Sequence, residues 1–140
     1  MHTPHHHIIW IVEDDLDDRV LLEEAFGDTQ VPCDVVIFSN AIAALQQLGT
    51  CPADKLPGII VSDYNMPMMN GEEFMESLCA HKRYENIVRV IISTSSDQSQ
   101  KEACLQKGAH AYFTKPASYP QLVHLAFAII TLAEKRSFEK

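Results

Sequence analysis

The stretch GIIVSDYNMPMMNG, residues 58–71, indicates the fold of this chain. Its apolar run at residues 59–61 is typical of a strand that is buried on both faces of a parallel sheet. The strand ends at Asp63, and the turn that follows contains Pro67 and Gly71. An aspartate in this place is a nucleophile, a metal ligand, or a polar residue where a strand meets solvent. The choice depends on what the other strands place beside it.

Composition limits the class of protein. The chain has 140 residues, of which 46% are hydrophobic and 21% charged, which predicts one globular domain with a single core. Nineteen acidic against eleven basic residues give a net charge of −8. Because affinity for nucleic acids and for anionic membrane surfaces depends on cationic side chains, we expect neither as a partner.

Three features of the sequence predict a cytoplasmic protein. The four cysteines are scattered without a C-x-x-C pair, which favours small buried side chains in a reducing compartment. The opening MHTPHHH lacks the features of a signal peptide. The longest apolar run, residues 122–133, is interrupted by His124 and is too short to span a membrane. We interpret the N-terminal histidines as a solvated arm or a cloning remnant, so residues 1–7 are predicted to be a flexible arm.

The rest of the chain alternates predicted strands with predicted helices five times. The strands are expected at residues 8–12, 33–39, 58–63, 87–93 and 109–115, and the helices at 16–26, 40–49, 71–81, 97–108 and 119–136. Such alternation requires right-handed crossovers and a doubly wound parallel sheet covered on both faces. Ligands of such α/β sheets bind at the carboxyl ends of the strands.

Local signals set the predicted helix boundaries. Gly27 and Gly49 are expected to end the first two helices. Asn70 with Glu73 predicts a capping box at the third helix, and Ser118 is expected to cap the fifth.

Polar residues of the types that act as nucleophiles, metal ligands or phosphate-binding groups follow four of the five strands. Each taken alone is explained by helix capping or a solvated surface, but together at one edge they indicate a site. The residues are Glu13, Asp14 and Asp15 after the first strand, Asp63 after the third, Ser93 to Ser96 after the fourth, and Thr114, Lys115 and Pro116 after the fifth.

Charge predicts the chemistry of this site. Converging carboxylates repel one another unless a proton or cation intervenes, and a hard divalent ion such as Mg²⁺, or Mn²⁺, suits oxygen ligands. Such an ion also bridges phosphoryl oxygens. Lys115 can pair with one phosphoryl oxygen and the Thr94 hydroxyl with another, which leaves Asp63 as the nucleophile.

Four motifs, VEDD (12–15), SDYNMPMMNG (62–71), ISTSS (92–96) and YFTKP (112–116), together resemble the receiver domain of bacterial response regulators. The resemblance covers residues 8–136 and leaves 137–140 as a tail. It implies the flavodoxin-like (βα)5 fold with strand order 2-1-3-4-5.

The resemblance also implies a role for each matching residue. Asp63 is the expected phosphoacceptor for a histidine kinase or phosphotransfer protein. Glu13 and Asp14 are expected to organise Mg²⁺ together with Asp63 and the backbone carbonyl of Asn65, and Asp14 to ligate it directly.

Three further residues at the ends of the fourth and fifth strands match the family. Thr94 matches the switching hydroxyl, Lys115 the lysine that pairs with phosphate, and Tyr112 the aromatic residue that changes rotamer on activation. The family pattern also predicts a cis bond between Lys115 and Pro116.

The implied function is that of a single-domain response regulator in a two-component phosphorelay. It would catalyse only its own phosphotransfer and slow self-dephosphorylation, and would signal through a downstream protein target. The main alternative is a degenerate receiver that binds proteins independently of phosphorylation.

A flavodoxin-like FMN site is disfavoured because the segment EDDLDD would repel phosphate. A phosphatase of the haloacid dehalogenase type is disfavoured because Asn65 replaces the second acid. The VEDD opening and the long loop after the second helix also resemble stand-alone receivers that act beside sensor kinases, phytochrome-type ones included.

The last predicted helix carries two apolar stripes where one sheet face requires one. The first comprises Leu122, Leu125, Ala126, Ile129, Leu132 and Ala133, and the second Val123, Phe127 and Ile130. Either packing against the first helix buries both, or the second belongs to a partner or homodimer surface formed by the fourth helix, fifth strand and fifth helix.

Overall fold

The computed structural model describes residues 6–138 and shows the predicted five-stranded parallel sheet, with strand order β2-β1-β3-β4-β5. The strands are β1 (His7–Val12), β2 (Cys33–Phe38), β3 (Ile59–Asp63), β4 (Val88–Ser93) and β5 (Ala111–Thr114). The helices are α1 (Leu16–Asp28), α2 (Ala41–Thr50), α3 (Gly71–Cys79), α4 (Gln98–Gln106) and α5 (Tyr119–Phe138). Short 3-10 helices lie at Ala53–Lys55 and Lys82–Tyr84.

Two boundaries of the expected domain shift. Because β1 begins at His7, the predicted arm of residues 1–7 is one residue too long, and its residues 1–5 lie outside the described part. Helix α5 continues to Phe138, beyond the expected end at residue 136.

Alternation along the strands divides the core into two layers. Ile9, Ile11, Val61 and Ile92 face α1 and α5, whereas Trp10, Val12, Ile60 and Ile91 face α2, α3 and α4. All five residues of β3 are buried, which confirms the strand predicted from residues 58–63. This dry central strand therefore delivers Asp63 to the edge of the sheet on a rigid support.

Both predicted glycine stops are wrong. Gly27 lies inside α1, which ends at Asp28, and Gly49 lies inside α2, which ends at Thr50. A glycine costs a helix only about 1 kcal/mol relative to alanine, so continued hydrogen bonding overcomes it. The predicted caps are confirmed: Asn70 and Glu73 form a reciprocal capping box, and Ser118 Oγ accepts the Gln121 N–H.

The Lys115–Pro116 bond is trans, since the described residues contain no cis peptide bond, and the predicted cis bond is wrong. The trans preference of an X–Pro bond is only about 0.5–1 kcal/mol. Contacts with surrounding residues therefore determine which isomer the bond adopts, and the sequence Lys-Pro alone does not predict it.

Helix α5 packs against α1, which buries part of each predicted stripe and leaves most of the other stripe residues half-buried. Ala126, Ile129 and Ile130 are buried, while Phe127 remains 53% exposed. Among the cysteines, Cys51 and Cys104 are buried as expected, whereas Cys33 is half-buried and Cys79 is exposed. Within residues 6–138, no helix combines the length and apolar character needed to cross a membrane.

Candidate functional site

Strands β1 and β3 bring the predicted acidic residues together at the carboxyl edge of the sheet. Val12 pairs with Ser62, so Glu13 and Asp63 stand at the ends of neighbouring strands. Glu13 is 1% exposed and Asp63 8% exposed, whereas Asp14 is exposed. One carboxylate oxygen from each of the three lies within 4.8 Å of the others. These three predicted metal ligands therefore converge.

Close packing behind the strand holds Asp63 in place. Its Oδ1 accepts the Tyr64 N–H at 2.9 Å, and the Gly71 N–H donates to the Tyr64 carbonyl at 2.8 Å. A Cβ atom at position 71 would lie 2.8 Å from Ile91 Cδ1 and 3.0 Å from the Asp63 carbonyl oxygen. Only glycine lets the first turn of α3 approach the end of β3 this closely.

Burial makes negative charge costly at this edge. It raises the pKa of Glu13 to about 7, and the charge of Asp63 acts in the same direction. The Asp15 N–H and Lys115 oppose that increase in pKa only in part. Burial also raises the pKa of Asp63, against the opposing charge of Lys115. A cation bound between these carboxylates would relieve this cost.

Lys115 is the cation within the cluster. Its Nζ lies 2.9 Å from Asp18 Oδ2, 3.1 Å from Glu13 Oε1 and 3.5 Å from Asp63 Oδ1. Burial lowers the pKa of Lys115, but the hydrogen bond that its ammonium donates to Asp18 and the charges of Glu13 and Asp63 outweigh this effect, so the net pKa is raised. The ammonium therefore stays charged and shared among three acids.

Asp18 is a site residue that sequence reasoning missed. It lies in the first turn of α1, where an acid is explained by the helix dipole, and its neighbour Asp15 serves as the N-cap. One feature of the sequence could have indicated Asp18. The segment EDDLDD contains more acids than helix capping requires, and a lysine was expected at the same edge of the sheet.

The donor set fits a hard divalent cation. Glu13, Asp14 and Asp63 offer carboxylate oxygens, the ligand type that Mg²⁺ and Mn²⁺ prefer. Asn65 lies two residues beyond Asp63 in an exposed turn, and its carbonyl accepts no hydrogen bond from the described part of the chain. This carbonyl oxygen is therefore available to act as the predicted fourth metal ligand.

The structure does not bring Thr94 into the cluster. Thr94 lies beyond the end of β4, is exposed, and its hydroxyl has no hydrogen bond to any described residue. Its neighbour Ser93 is fully buried at the end of β4, where its carbonyl accepts the Lys115 N–H at 2.7 Å. The sequence analysis lists Ser93 among the polar residues after the fourth strand but assigns the hydroxyl role to Thr94. Strand alternation was the available signal, because Ser93 and Ile91 point to the same face of β4.

Tyr112 is buried, and it belongs to a polar network rather than to the acidic cluster. Its hydroxyl donates to the Ser95 carbonyl at 2.7 Å and accepts from Gln100 Nε2 at 2.7 Å. Gln100 also donates to Ser93 Oγ at 3.0 Å. The predicted aromatic residue is thus connected to the end of β4 through α4.

Fold and site together match one protein family. The model of the response regulator receiver domain matches residues 9–127, and the chain belongs to this family. The DNA-binding transcriptional regulator NtrC of Escherichia coli K12 is 30% identical over 118 residues. That match covers 84% of this chain and 24% of NtrC, so the chain spans about a quarter of that relative's length.

Two solved structures share the architecture over most of the chain. The phosphorylated cyanobacterial phytochrome response regulator RcpA has a TM-score of 0.79 and 27% identity, covering 89% of this chain and 91% of RcpA. The Mn²⁺-bound response regulator Rcp1 has a TM-score of 0.76 and 22% identity, covering 88% of this chain and 91% of Rcp1. Receiver domains interact with histidine kinases or phosphotransfer proteins, and this chain shares their fold.

Proposed function

We propose that this chain is a phosphoacceptor in a two-component phosphorelay and takes a phosphoryl group on Asp63. One observation carries the proposal: Asp63 shares a 4.8 Å cluster with Glu13 and Asp14, and Lys115 Nζ lies 3.5 Å from its Oδ1. This grouping of three carboxylates and one ammonium at one edge of the sheet supports the proposed roles of nucleophile, hard-cation site and phosphate-pairing cation.

The proposed phosphoryl transfer is a displacement at phosphorus. An Asp63 carboxylate oxygen attacks the phosphorus of a phosphohistidine, forming an O–P bond as the N–P bond breaks. The N–P electron pair leaves on the imidazole nitrogen, which then takes up a proton. Lys115 pairs with a phosphoryl oxygen, and its raised pKa keeps it charged throughout. Glu13, Asp14, Asp63 and the Asn65 carbonyl would hold a divalent cation, which would neutralise negative charge at this site.

We assign the hydroxyl of the site to Ser93 rather than to the predicted Thr94. Ser93 is buried at the strand end and accepts two hydrogen bonds, so its own hydrogen is left to donate to a phosphoryl oxygen. The comparison of Ser93→Ala with Thr94→Ala tests this assignment. We expect Ser93→Ala to shorten the lifetime of the phosphorylated protein and Thr94→Ala to leave it near wild type. If Thr94→Ala shortened the lifetime and Ser93→Ala did not, the hydroxyl role would belong to Thr94.

The rest of the proposal follows from the same site. Mg²⁺, or Mn²⁺, is the proposed cofactor, and the Mn²⁺ in Rcp1 supports it. A histidine kinase or phosphotransfer protein is the proposed donor, and the chain catalyses only its own phosphorylation and slow dephosphorylation. We propose a cytoplasmic location and signalling by contact with a protein target or a second copy through α4, β5 and α5. A binding module independent of phosphorylation is not favoured, because the acceptor, the lysine and the metal-ligand set are all present.

The decisive experiment uses acetyl phosphate as donor and intact-protein mass spectrometry as readout. We expect wild type to gain one phosphoryl group with Mg²⁺ but not with EDTA, and Asp63→Asn to gain none. Asp17→Asn is the matched control, since this acid of α1 is exposed and is not one of the three clustered carboxylates of the described residues. An unmodified wild type, or modification that survives in Asp63→Asn, would contradict the proposal.

A further inference from the structure

A closed ring of four hydrogen bonds connects the ends of β4 and β5 to helix α4. The Ser95 N–H donates to Ser93 Oγ at 3.1 Å, and the Tyr112 hydroxyl donates to the Ser95 carbonyl at 2.7 Å. Gln100 Nε2 closes the ring by donating to Tyr112 Oη at 2.7 Å and to Ser93 Oγ at 3.0 Å. Ser93 and Tyr112 are buried and Gln100 is half-buried, so solvent competes weakly for these groups.

The ring determines how the Ser93 hydroxyl can be used. A hydroxyl has two acceptor lone pairs and one hydrogen. Ser95 and Gln100 occupy both lone pairs, and the Ser93 hydrogen is donated to no protein group within residues 6–138. Ser93 follows Ile92, the strand partner of Asp63, so its free donor lies at the same sheet edge as the proposed phosphoacceptor.

We propose that Gln100 is a positioning residue that holds Ser93 as a hydrogen-bond donor for the phosphoryl group on Asp63 and couples that donor to Tyr112. The inference rests on the proposed function of Asp63 and extends it to a residue on α4.

The side-chain amide is what this role requires. One amide nitrogen carries two hydrogens, and Gln100 uses one for Ser93 and one for Tyr112. A glutamate at position 100 would have a similar shape but would accept instead of donate. The Ser93 hydroxyl would then turn toward that carboxylate and away from Asp63. A methionine would remove the donors without adding an acceptor.

The test measures affinity for beryllofluoride, which stands for the phosphoryl group, by ¹⁹F NMR with saturating Mg²⁺. Loss of one hydrogen bond to a charged group corresponds to roughly a tenfold to hundredfold change. We expect Gln100→Glu to weaken affinity about tenfold or more, Gln100→Met by less, and Mg²⁺ affinity to stay at wild type. In a Ser93→Ala background, Gln100→Glu should have almost no further effect, because the group it positions is gone.

Gln106→Glu is the control, since it makes the same change of charge at an exposed position of α4. The inference is overturned if Gln100→Glu behaves like Gln106→Glu, if its effect persists undiminished without Ser93, or if Mg²⁺ affinity falls in parallel. A wild-type protein that binds no beryllofluoride and takes no phosphoryl group would instead remove the proposed function and the inference with it. If the wild type were phosphorylated but the effects of Gln100→Glu and Ser93→Ala were additive, the inference about Gln100 would be wrong and the proposed function would stand.

Discussion

Lys115 Nζ and Asp18 Oδ2 lie 2.9 Å apart, although 97 positions separate the two residues along the chain. The ammonium is nearer to Asp18 than to Asp63, from which it is separated by 3.5 Å. In the absence of a phosphoryl group, Lys115 therefore connects α1 to the end of β5, and an incoming phosphoryl oxygen must compete with Asp18 for it.

Removing this competitor should favour the phosphorylated state. We expect Asp18→Asn to raise affinity for beryllofluoride about two- to fivefold, the range that corresponds to a partly exposed ion pair. Calorimetric titration with Mg²⁺ present measures it, and Asp17→Asn is the control for net charge. Weaker binding in Asp18→Asn would show that Asp18 supports Lys115 instead of competing for it.

Metal binding should stabilise the fold through Asp14. At a Mg²⁺ concentration ten times the dissociation constant, binding to the native state alone adds roughly 1.4 kcal/mol to the free energy of unfolding. We expect Asp14→Asn to lose most of this gain, as measured by thermal denaturation with Mg²⁺ or EDTA. Asp17→Asn should keep it, and an equal loss in both variants would indicate charge screening without a specific site.

The stability of the metal-free protein should fall as pH rises through the titration of Glu13. The carboxyl has a pKa of 4.5 in the unfolded chain and about 7 in the fold, so the native state binds more protons between these values. This contribution is fully present below about pH 4.5 and is lost as pH passes about 7.

The expected loss is on the order of 1–3 kcal/mol, which urea denaturation at a series of pH values in EDTA would measure. Glu13→Gln should flatten the profile, whereas Glu23→Gln, at an exposed position of α1, should not. A wild-type profile that is flat or rises with pH over this window would contradict the prediction.

The two glycines at positions 71 and 49 should respond oppositely to alanine. A Cβ at position 71 meets Ile91 Cδ1 at 2.8 Å and the Asp63 carbonyl oxygen at 3.0 Å, so we expect Gly71→Ala to cost about 1–3 kcal/mol. A Cβ at position 49 meets nothing within 4 Å inside α2, so Gly49→Ala should gain about 0.5–1 kcal/mol. Chemical denaturation measures both, and a neutral Gly71→Ala would show that α3 can shift without disturbing β3.

Much of the fold could be predicted because its signals are local. Buried strands appear as apolar runs, and Asn70 with Glu73 specifies a helix start through hydrogen bonds that span three residues. The failed predictions at Gly27 and Gly49 concern preferences of about 1 kcal/mol, which neighbouring turns of helix override. The isomer of the Lys115–Pro116 bond depends on a similarly small difference.

The sequence by itself determined the parallel sheet and the convergence of Glu13, Asp14, Asp63 and Lys115, because the carboxyl ends of parallel strands must meet at one edge. Only the tertiary structure decided that Ser93 is buried beside that edge while Thr94 faces solvent, since the direction of a side chain depends on where β4 ends. It alone joined Asp18 to Lys115 and Gln100 to both Ser93 and Tyr112. These contacts join side chains of different strands and helices through packing, and no local pattern of residues records them.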